Sequence, residues 1–454
     1  MTASTGATVD VVVIGAGFTG LTVATQLLAA GRSVVVLEAR GRVGGRTESA
    51  VDDTGRLVDS GGQFLNDDMP HVLALAASRG RTLVAGDHEL ASLAFRGGGE
   101  PTDDPRAFAE LLAAADGPAE RLEGIDPASL SDRTLGDWLR SRLDGDALAA
   151  AHGGFAGAFC LSPDLLLAAH VAEMGERTPM TRDELQYVIA ETLHGLAVEL
   201  GDELGDRLHL GTRVHTVHRH ASGSTVVADG VTIDASHVVV AVPPVAIGSI
   251  VFDPPLPDDV RSAAAAFRPG SVIKFLVSYP AAFWHDPTGS LGSVREWLTP
   301  AGLYTRDATA HADHPSIVAF LGGPSADEWG AWSPERRRAS LLEHLVEGYG
   351  AEAERPVAFL ERVWAPDDLG AGGYCNLLVD PAHLDAVDVL RRGPGDDPRI
   401  TFACTELAPS FPGYVEGAIT AGLAAAERVL ARAASRSTPD DIRDAAAEHR
   451  SVPY

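Results

Sequence analysis

The chain has almost no lysine. Its 454 residues include 36 basic side chains, and all but one are arginine; the exception is Lys274. A composition that replaces lysine by arginine everywhere else gives no reason, on charge alone, to keep this one. Cysteine is nearly as scarce. Cys160, Cys375 and Cys404 form no CxxC or CxxH spacing, which argues against a disulfide framework or a zinc site. No run of 18 apolar residues is present to cross a membrane as a helix. The N-terminus lacks a basic stretch followed by an apolar run, so no secretory signal is expected and a cytoplasmic, unanchored protein is. Positive charge is also short. A formal net charge of −27 leaves no basic footprint for nucleic acid and reads as a solvated acidic surface.

What remains is ordinary globular composition, 45% hydrophobic and 22% charged, long enough for two or three domain-sized units. Asp10–Ile14 is an unbroken β-branched run, as in a buried parallel strand. A glycine-rich turn follows, then an apolar-periodic helix to about Ala30, then a second strand over Ser33–Leu37. This is a βαβ opening. From about Arg79 to Tyr187 the pattern is mostly helical, and strand-like periods return over Asp206–Ala241 and Val272–Ser278. Ile400–Ala403 is a short strand, and Gly413–Arg432 is a helix rich in small residues.

The turn reads Gly15-Ala16-Gly17-Phe18-Thr19-Gly20. The first glycine permits the tight turn, the second lets backbone approach a pyrophosphate, and the third lets helix pack on strand. The helix N-terminus favours the phosphate charge. Glu38, closing the second strand, is placed to accept hydrogen bonds from an adenosine ribose. This pattern implies a dinucleotide without choosing between NAD and FAD.

The choice comes from Ala39-Arg40-Gly41-Arg42-Val43-Gly44-Gly45-Arg46-Thr47, where paired glycines permit close approach and Arg46 can pair with a phosphate bidentately. Here the chain resembles the flavin amine oxidase (monoamine oxidase-like) family, which carries this run against the FAD pyrophosphate. Asp59-Ser60-Gly61-Gly62-Gln63-Phe64 resembles the family's loop beside the isoalloxazine, bringing Gly62 and Gln63 to the ring. Phe402-Ala403-Cys404-Thr405-Glu406 resembles an element whose acid lies by the ribityl chain, with Cys404 in place of the usual glycine. Val415 opens the last helix, whose N-terminus would favour an anionic ring. Val214 matches a position whose backbone contacts the adenine, and Trp364 one beside the flavin.

The resemblance also implies the reacting groups. Lys274 falls at the family's active-site lysine, which holds a water against flavin N5; arginine is a poor substitute because it is bulkier, planar and always charged. Tyr374 and Tyr414 match the two aromatic residues that flank an amine, whose polarised N–H and C–H groups their π faces attract. Taken singly, Lys274 could be a charge protecting an edge strand, and either tyrosine a core residue. Gly373 stands where monoamine oxidases bond a cysteine to the flavin, which implies non-covalent FAD. The histidines His209, His215, His218 and His220 read as solvated strand residues rather than metal ligands.

Two departures are visible. Glu191-Thr192 stands where many members have Gly-Gly, and Leu378-Val379-Asp380 where they have Pro-Pro-Gly. The implied fold is α/β: a discontinuous, Rossmann-type FAD-binding domain in three segments (1–78, 188–270, 395–454). An α+β substrate domain is inserted as 79–187 and 271–394, as in monoamine oxidase. The implied reaction takes a small-molecule amine to an imine, hydrolysed to aldehyde or ketone, with dioxygen reduced to hydrogen peroxide. Alternatives are a carbon–carbon desaturase of the protoporphyrinogen oxidase or carotene desaturase type, which has no evident need for the lysine and tyrosines, and an L-amino acid oxidase. The latter is disfavoured because Gln63 and Phe64 stand where such relatives place a carboxylate-binding arginine. A flavoprotein without enzymatic activity is a third class. The oligomeric state is unreadable.

Overall fold

The structure, a computed structural model, describes residues 4–86, 91–95, 127–130, 132–182, 185–285, 294–298, 303–367, 369, 372–395 and 397–434; the polar tail from Ser435 lies outside them. Valine-rich runs form its first layer. Ser4–Ile14 pairs in parallel with Val34–Leu37 on one side and Val231–Val240 on the other, and Val11, Val12 and Val13 are buried. Strands buried on both faces require such continuous apolar runs. Leu208–His209 extends the sheet beyond Val34–Leu37, and Ile400–Phe402 pairs in parallel with Val231–Val240. Ser224–Ala228, Val214–Arg219 and Val251–Asp253 complete eight strands. The sheet thus draws on three separated stretches of chain.

Helix Phe18–Ala29 covers the N-terminal strand and crosses the last helix, Val415–Ala434. A Cβ at Gly422 would lie 2.7 Å from Thr22 Cβ, so the crossing depends on a small residue there. Thr19 Oγ1 donates to Ala418 O at 2.9 Å across the same contact.

The second sheet has six strands in the order Ala358–Trp364, Val272–Ser278, Ser316–Gly322, Leu303–Asp307, Val294–Leu298 and Ala91–Phe95. Lys274 is therefore on an interior strand, paired to Arg362 on one side and Phe320 on the other. This overturns the reading of Lys274 as an edge-protecting charge. Ile273, Phe275 and Val277 bury against a core that includes Leu341 and Leu345 of helix Pro334–Tyr349. The alternation of a strand then turns Val272, Lys274 and Leu276 to the other face. The stretch expected to be mostly helical also holds strands at Leu83–Ala85 and Ala91–Phe95.

Candidate active site

The glycine-rich turn is built as a cradle. Gly15 has φ +103°, and a Cβ there would sit 2.7 Å from Ala241 O. Gly17 caps the first helix without a side-chain bond, and no acid stands in that helix's first turn. Its N-terminal dipole is thus left for an anion. Gly44 N donates to Ala16 O at 2.9 Å, and a Cβ on Gly45 would come 3.4 Å from Gly17 Cα. Two glycine pairs therefore face each other with only backbone between them, as a pyrophosphate requires. Phe18 and Gly20 are buried behind this turn.

Glu38 accepts from Ala16 N at 2.7 Å and Arg40 N at 2.8 Å. One bond per oxygen leaves each a second lone pair for a ribose hydroxyl. Arg40 reaches out to Asp367 at 2.7 Å. Val214 is buried where its strand begins, with Thr212 N bonded to Glu38 O at 2.8 Å. These residues fit the adenosine and pyrophosphate half of FAD.

Arg46 has a protein partner that the motif did not reveal. Its guanidinium makes a bidentate pair with Glu406, at 2.7 and 3.1 Å, and donates to Tyr374 O at 3.0 Å. Glu406 also accepts Asn376 N at 2.8 Å. Burial pushes the Glu406 carboxyl up, but the Arg46 charge and these bonds outweigh it and hold it below the ordinary carboxyl range.

The same junction positions both tyrosines. Thr405 Oγ1 donates to Tyr414 O at 2.9 Å and accepts Gly413 N at 2.8 Å. Gly413 lies against Cys375, which follows Tyr374. Tyr374 is 40% exposed and meets Phe320 edge-on at 6.1 Å, whereas half-buried Tyr414 meets Phe411 edge-on at 6.1 Å. Phe320 also meets Phe64 at 6.3 Å. Phe320 is the residue opposite Lys274 on the neighbouring strand, so one ring links the lysine to the tyrosine.

Lys274 is 4% exposed. Its Nζ donates to Asp59 O and Gly61 O, each at 2.7 Å, and to Gln63 Oε1. Burial lowers its pKa, with Asp59 opposing. Asp59 is itself buried, and its carboxylate accepts Leu193 N at 2.7 Å and His194 N at 3.2 Å at the start of helix Leu193–Leu204. Burial raises the Asp59 pKa, with Lys274 and those two amides opposing. Trp364, at the end of the strand beside Lys274, donates Nε1 to Ser60 O at 3.1 Å and carries Arg362 over its ring. The loop 59–63 is thus held by the lysine, the tryptophan and a helix N-terminus. Gly62 has open space beside it, since a Cβ there would first meet Thr47 Cγ2 at 3.7 Å. Val415 opens the last helix next to Tyr414.

The departures have local consequences. Thr192 sits at φ +72°, a conformation that suits glycine, and caps helix Leu193–Leu204 through Gly195 N at 3.2 Å. Leu378 pairs with Phe267 in a small two-stranded sheet. The histidines separate: His215 pairs with Asp229, His218 with Asp253, and His220 with Thr225. Among the described residues no group of three or more His, Cys, Asp or Glu could hold a metal ion. Asp59, Phe64 and Thr405 lay inside motifs without being singled out, and Phe320 carried no sequence signal at all.

The profile of the family "Flavin containing amine oxidoreductase" matches residues 18–430. The chain belongs to that family. It is 31% identical to putrescine oxidase of Kocuria rosea over 93% of this chain and 95% of the relative. It is 28% identical to flavin-containing amine oxidase B of Sus scrofa over 98% of this chain and 90% of the relative. The solved structure of wild-type putrescine oxidase bound to putrescine superposes with a TM-score of 0.82 at 26% identity, over 94% of this chain and all of that one. Cyclohexylamine oxidase from Brevibacterium oxydans gives 0.81 at 26%, over 93% and 98%.

FAD is the cofactor of this oxidoreductase, and it is held non-covalently. Gly373 has no room for a side chain, because a Cβ would fall well inside contact with Val272 Cγ1. Nearby Cys375 is buried with its thiol pushed up to about 12, too high to be a ready nucleophile.

Proposed function

We propose that the chain oxidises a small amine between Tyr374 and Tyr414, with Lys274 beside the reacting face. The observation that carries this reading is the shared anchoring of the three side chains. Thr405 holds the backbone of Tyr414, Arg46 paired to the adjacent Glu406 holds that of Tyr374, and Phe320 bridges Tyr374 to the Lys274 rung. Bound FAD supplies the two-electron acceptor. The residues of the chain do the rest: two rings orient the amine, Lys274 holds the loop 59–63 through its three N–H groups, and Phe64 and Phe320 keep water from the site.

A cavity of about 170 Å³ adjoins Phe64 and is lined by Tyr187, Val188, Ala308 and the bonded pair His285–Asp307. Its volume suits the side chain of a small amine. The amine oxidases among the relatives favour this chemistry over carbon–carbon desaturation. Dioxygen is the proposed acceptor. Three buried free cysteines support a reducing, cytoplasmic setting. Among the described residues no helix is long and apolar enough to cross a membrane. The five-segment domain division stays part of this reading, supported by the strands of the eight-stranded and six-stranded sheets each falling within the segments assigned to one domain. The two-stranded sheet of Phe267–Pro269 with Asn376–Leu378 and the three-stranded sheet around Tyr187–Ile189 cross the boundaries.

Anaerobic mixing of the yellow holoenzyme with a panel of primary, secondary and diamine compounds tests it. Bleaching of the flavin band by amines, followed by peroxide on admission of air, is expected. Bleaching only by donors that are not amines would sink the assignment.

A further inference from the structure

An amine with a pKa near that of lysine, about 10, arrives as an ammonium and must lose one proton before its α carbon can give up a hydride. That proton has to leave a site walled by Phe64, Phe320, Tyr374 and Tyr414. The side behind Lys274 offers a way out. Asp59 and Gln63, two of the residues whose oxygens hold Nζ, also line a separate cavity of about 40 Å³. Its other polar walls are Arg56, Thr192, His311, His314 and Ser316. Apolar walls such as Leu57, Val188, Ile189 and Leu276 complete it, and a space of this size with several polar groups on one path accommodates a short chain of waters. We propose that this cavity is the proton exit of the active site, with Asp59 its inner relay and His311 its outer one. The inference rests on the amine chemistry proposed above.

The geometry separates the candidates for each role. His314 is buried and fixed to Asp52 at 2.8 Å, so it serves as wall. His311 is half-buried, and its Nε2 lies 3.1 Å from Ala190 O. A donor proton on Nε2 leaves Nδ1 as an acceptor, which is what a terminal relay needs. Arg56 is drawn outward by a 3.0 Å pair with Asp313. His194, on the helix that Asp59 caps, turns its ring to Ser49 Oγ at 2.9 Å. Lys274 is the charged group that acts on Asp59, and Arg56, His311 and His314 are the other charged or titratable groups lining the cavity. Burial moves Asp59 and Lys274 in opposite directions, toward each other, which narrows the gap a proton must cross. The proton balance is simple. The Lys274 amine, held by the main-chain oxygen of Asp59, takes the proton lost by the substrate ammonium and passes it through a bridging water to the Asp59 carboxylate, returning to the amine. Asp59 yields it through cavity water to His311 and solvent, so no charge stays behind.

Infrared titration of the FAD-loaded enzyme tests the route without turnover. A protonated carboxyl band titrating above the ordinary carboxyl range is expected, absent in Asp59→Asn, and quick to shift on mixing with deuterium oxide. Ala310→Leu, at the half-buried lip of the cavity, should leave that band and its midpoint in place and slow the isotope shift several-fold. A wild-type spectrum without an Asp59-dependent band, or exchange as fast in Ala310→Leu as in wild type, would overturn the route. A second measurement uses 1,4-diaminobutane and benzylamine as probes under anaerobic conditions, with a pH indicator in weak buffer. Proton release should keep pace with bleaching in wild type and lag behind it in Ala310→Leu and His311→Phe. Asp59→Asn should slow bleaching by about 10²-fold and move its pH dependence to lower pH, because the carboxylate that favours the Lys274 ammonium is gone. Synchronous release in all variants would place the exit elsewhere. Failure of every amine to bleach the flavin would count against the amine assignment alone, and the isotope exchange would still decide the route.

Discussion

Two cations, half-buried Arg46 and buried Lys274, are held in opposite ways in this molecule. Arg46 pairs with the carboxylate of Glu406 through two nitrogens, and that carboxylate is almost fully buried. Lys274 points all three N–H groups at uncharged oxygens, while the nearby Asp59 carboxylate spends its bonds on helix amides. The first arrangement fixes charge permanently, because a guanidinium does not deprotonate in a protein and Glu406 is held ionised. The second leaves charge softer, because the three oxygens in contact with Nζ carry no counter-charge and burial lowers its pKa. A clamp needs the first kind of site and a proton-handling group needs the second.

The largest effect is expected from breaking the clamp. Glu406→Gln keeps an acceptor for Asn376 N–H but leaves Arg46 without its counter-charge. Removing one partner of a buried pair costs about 3–5 kcal/mol, and roughly a quarter of the Arg46 side chain reaches solvent, so about 2–3 kcal/mol is expected here. Urea unfolding of the apoprotein measures it, and FAD affinity should fall with it. A loss below about 0.5 kcal/mol would mean that the pair is no clamp. Because the folded-state pKa of Glu406 is depressed, its contribution is full above the ordinary carboxyl range and disappears as pH falls through the depressed value. Wild type should therefore lose more stability on acidification below about pH 4.3 than the variant does.

Lys274 gives the same sign in a higher pH window. Its folded pKa is lowered, so the unfolded chain binds more protons between that value and the free-lysine range, and stability rises with pH across that window. Lys274→Met should flatten this rise and keep FAD bound, while slowing flavin reoxidation on the order of 10²-fold. Lys274→Arg should fare no better, since it restores charge without the ability to titrate. Stopped-flow reoxidation at several pH values gives the answer, and unchanged kinetics in the Met variant would remove the lysine from the chemistry.

The contrast also explains what could be read from the chain alone. The cradle was legible because it is local: Gly15, Gly17 and Gly20 act within one turn, and Glu38 follows at a fixed distance. Lys274 was legible for a compositional reason, as the single lysine in an arginine-rich chain. Its strand was not, since whether Val272–Ser278 is an edge or an interior strand depends on pairing with Ser316–Gly322 and Ala358–Trp364. The pairing of Arg46 with Glu406 was not legible for the same cause, because Glu406 reaches it only once the last strand joins the first sheet. Phe320 and Asn376 are ordinary residues in ordinary runs, and only the folded arrangement gives them a position beside the site.

A smaller effect is expected at Gly373. A Cβ there would overlap Val272 Cγ1, on the same strand face as Lys274. Gly373→Ala should cost about 1–3 kcal/mol through local overpacking. It should also disturb the lysine more than Arg46, so reoxidation slows further than FAD affinity falls. Equal losses in both would show that the two cation sites are mechanically one.

The smallest change tests the tyrosine nearer the lysine. Tyr374 is exposed at the site and contacts Phe320 through its ring edge, while its backbone oxygen, rather than its hydroxyl, accepts from Arg46. Removing the hydroxyl leaves both the ring and the clamp in place. Tyr374→Phe should therefore change kcat/KM for an amine by no more than about three-fold. Tyr374→Ala, which removes the π face, should cost about 1 kcal/mol or more of amine recognition. If Phe proved as damaging as Ala, the hydroxyl would be the active group, and the ring-based account of amine binding between Tyr374 and Tyr414 would have to give way to one based on hydrogen bonding.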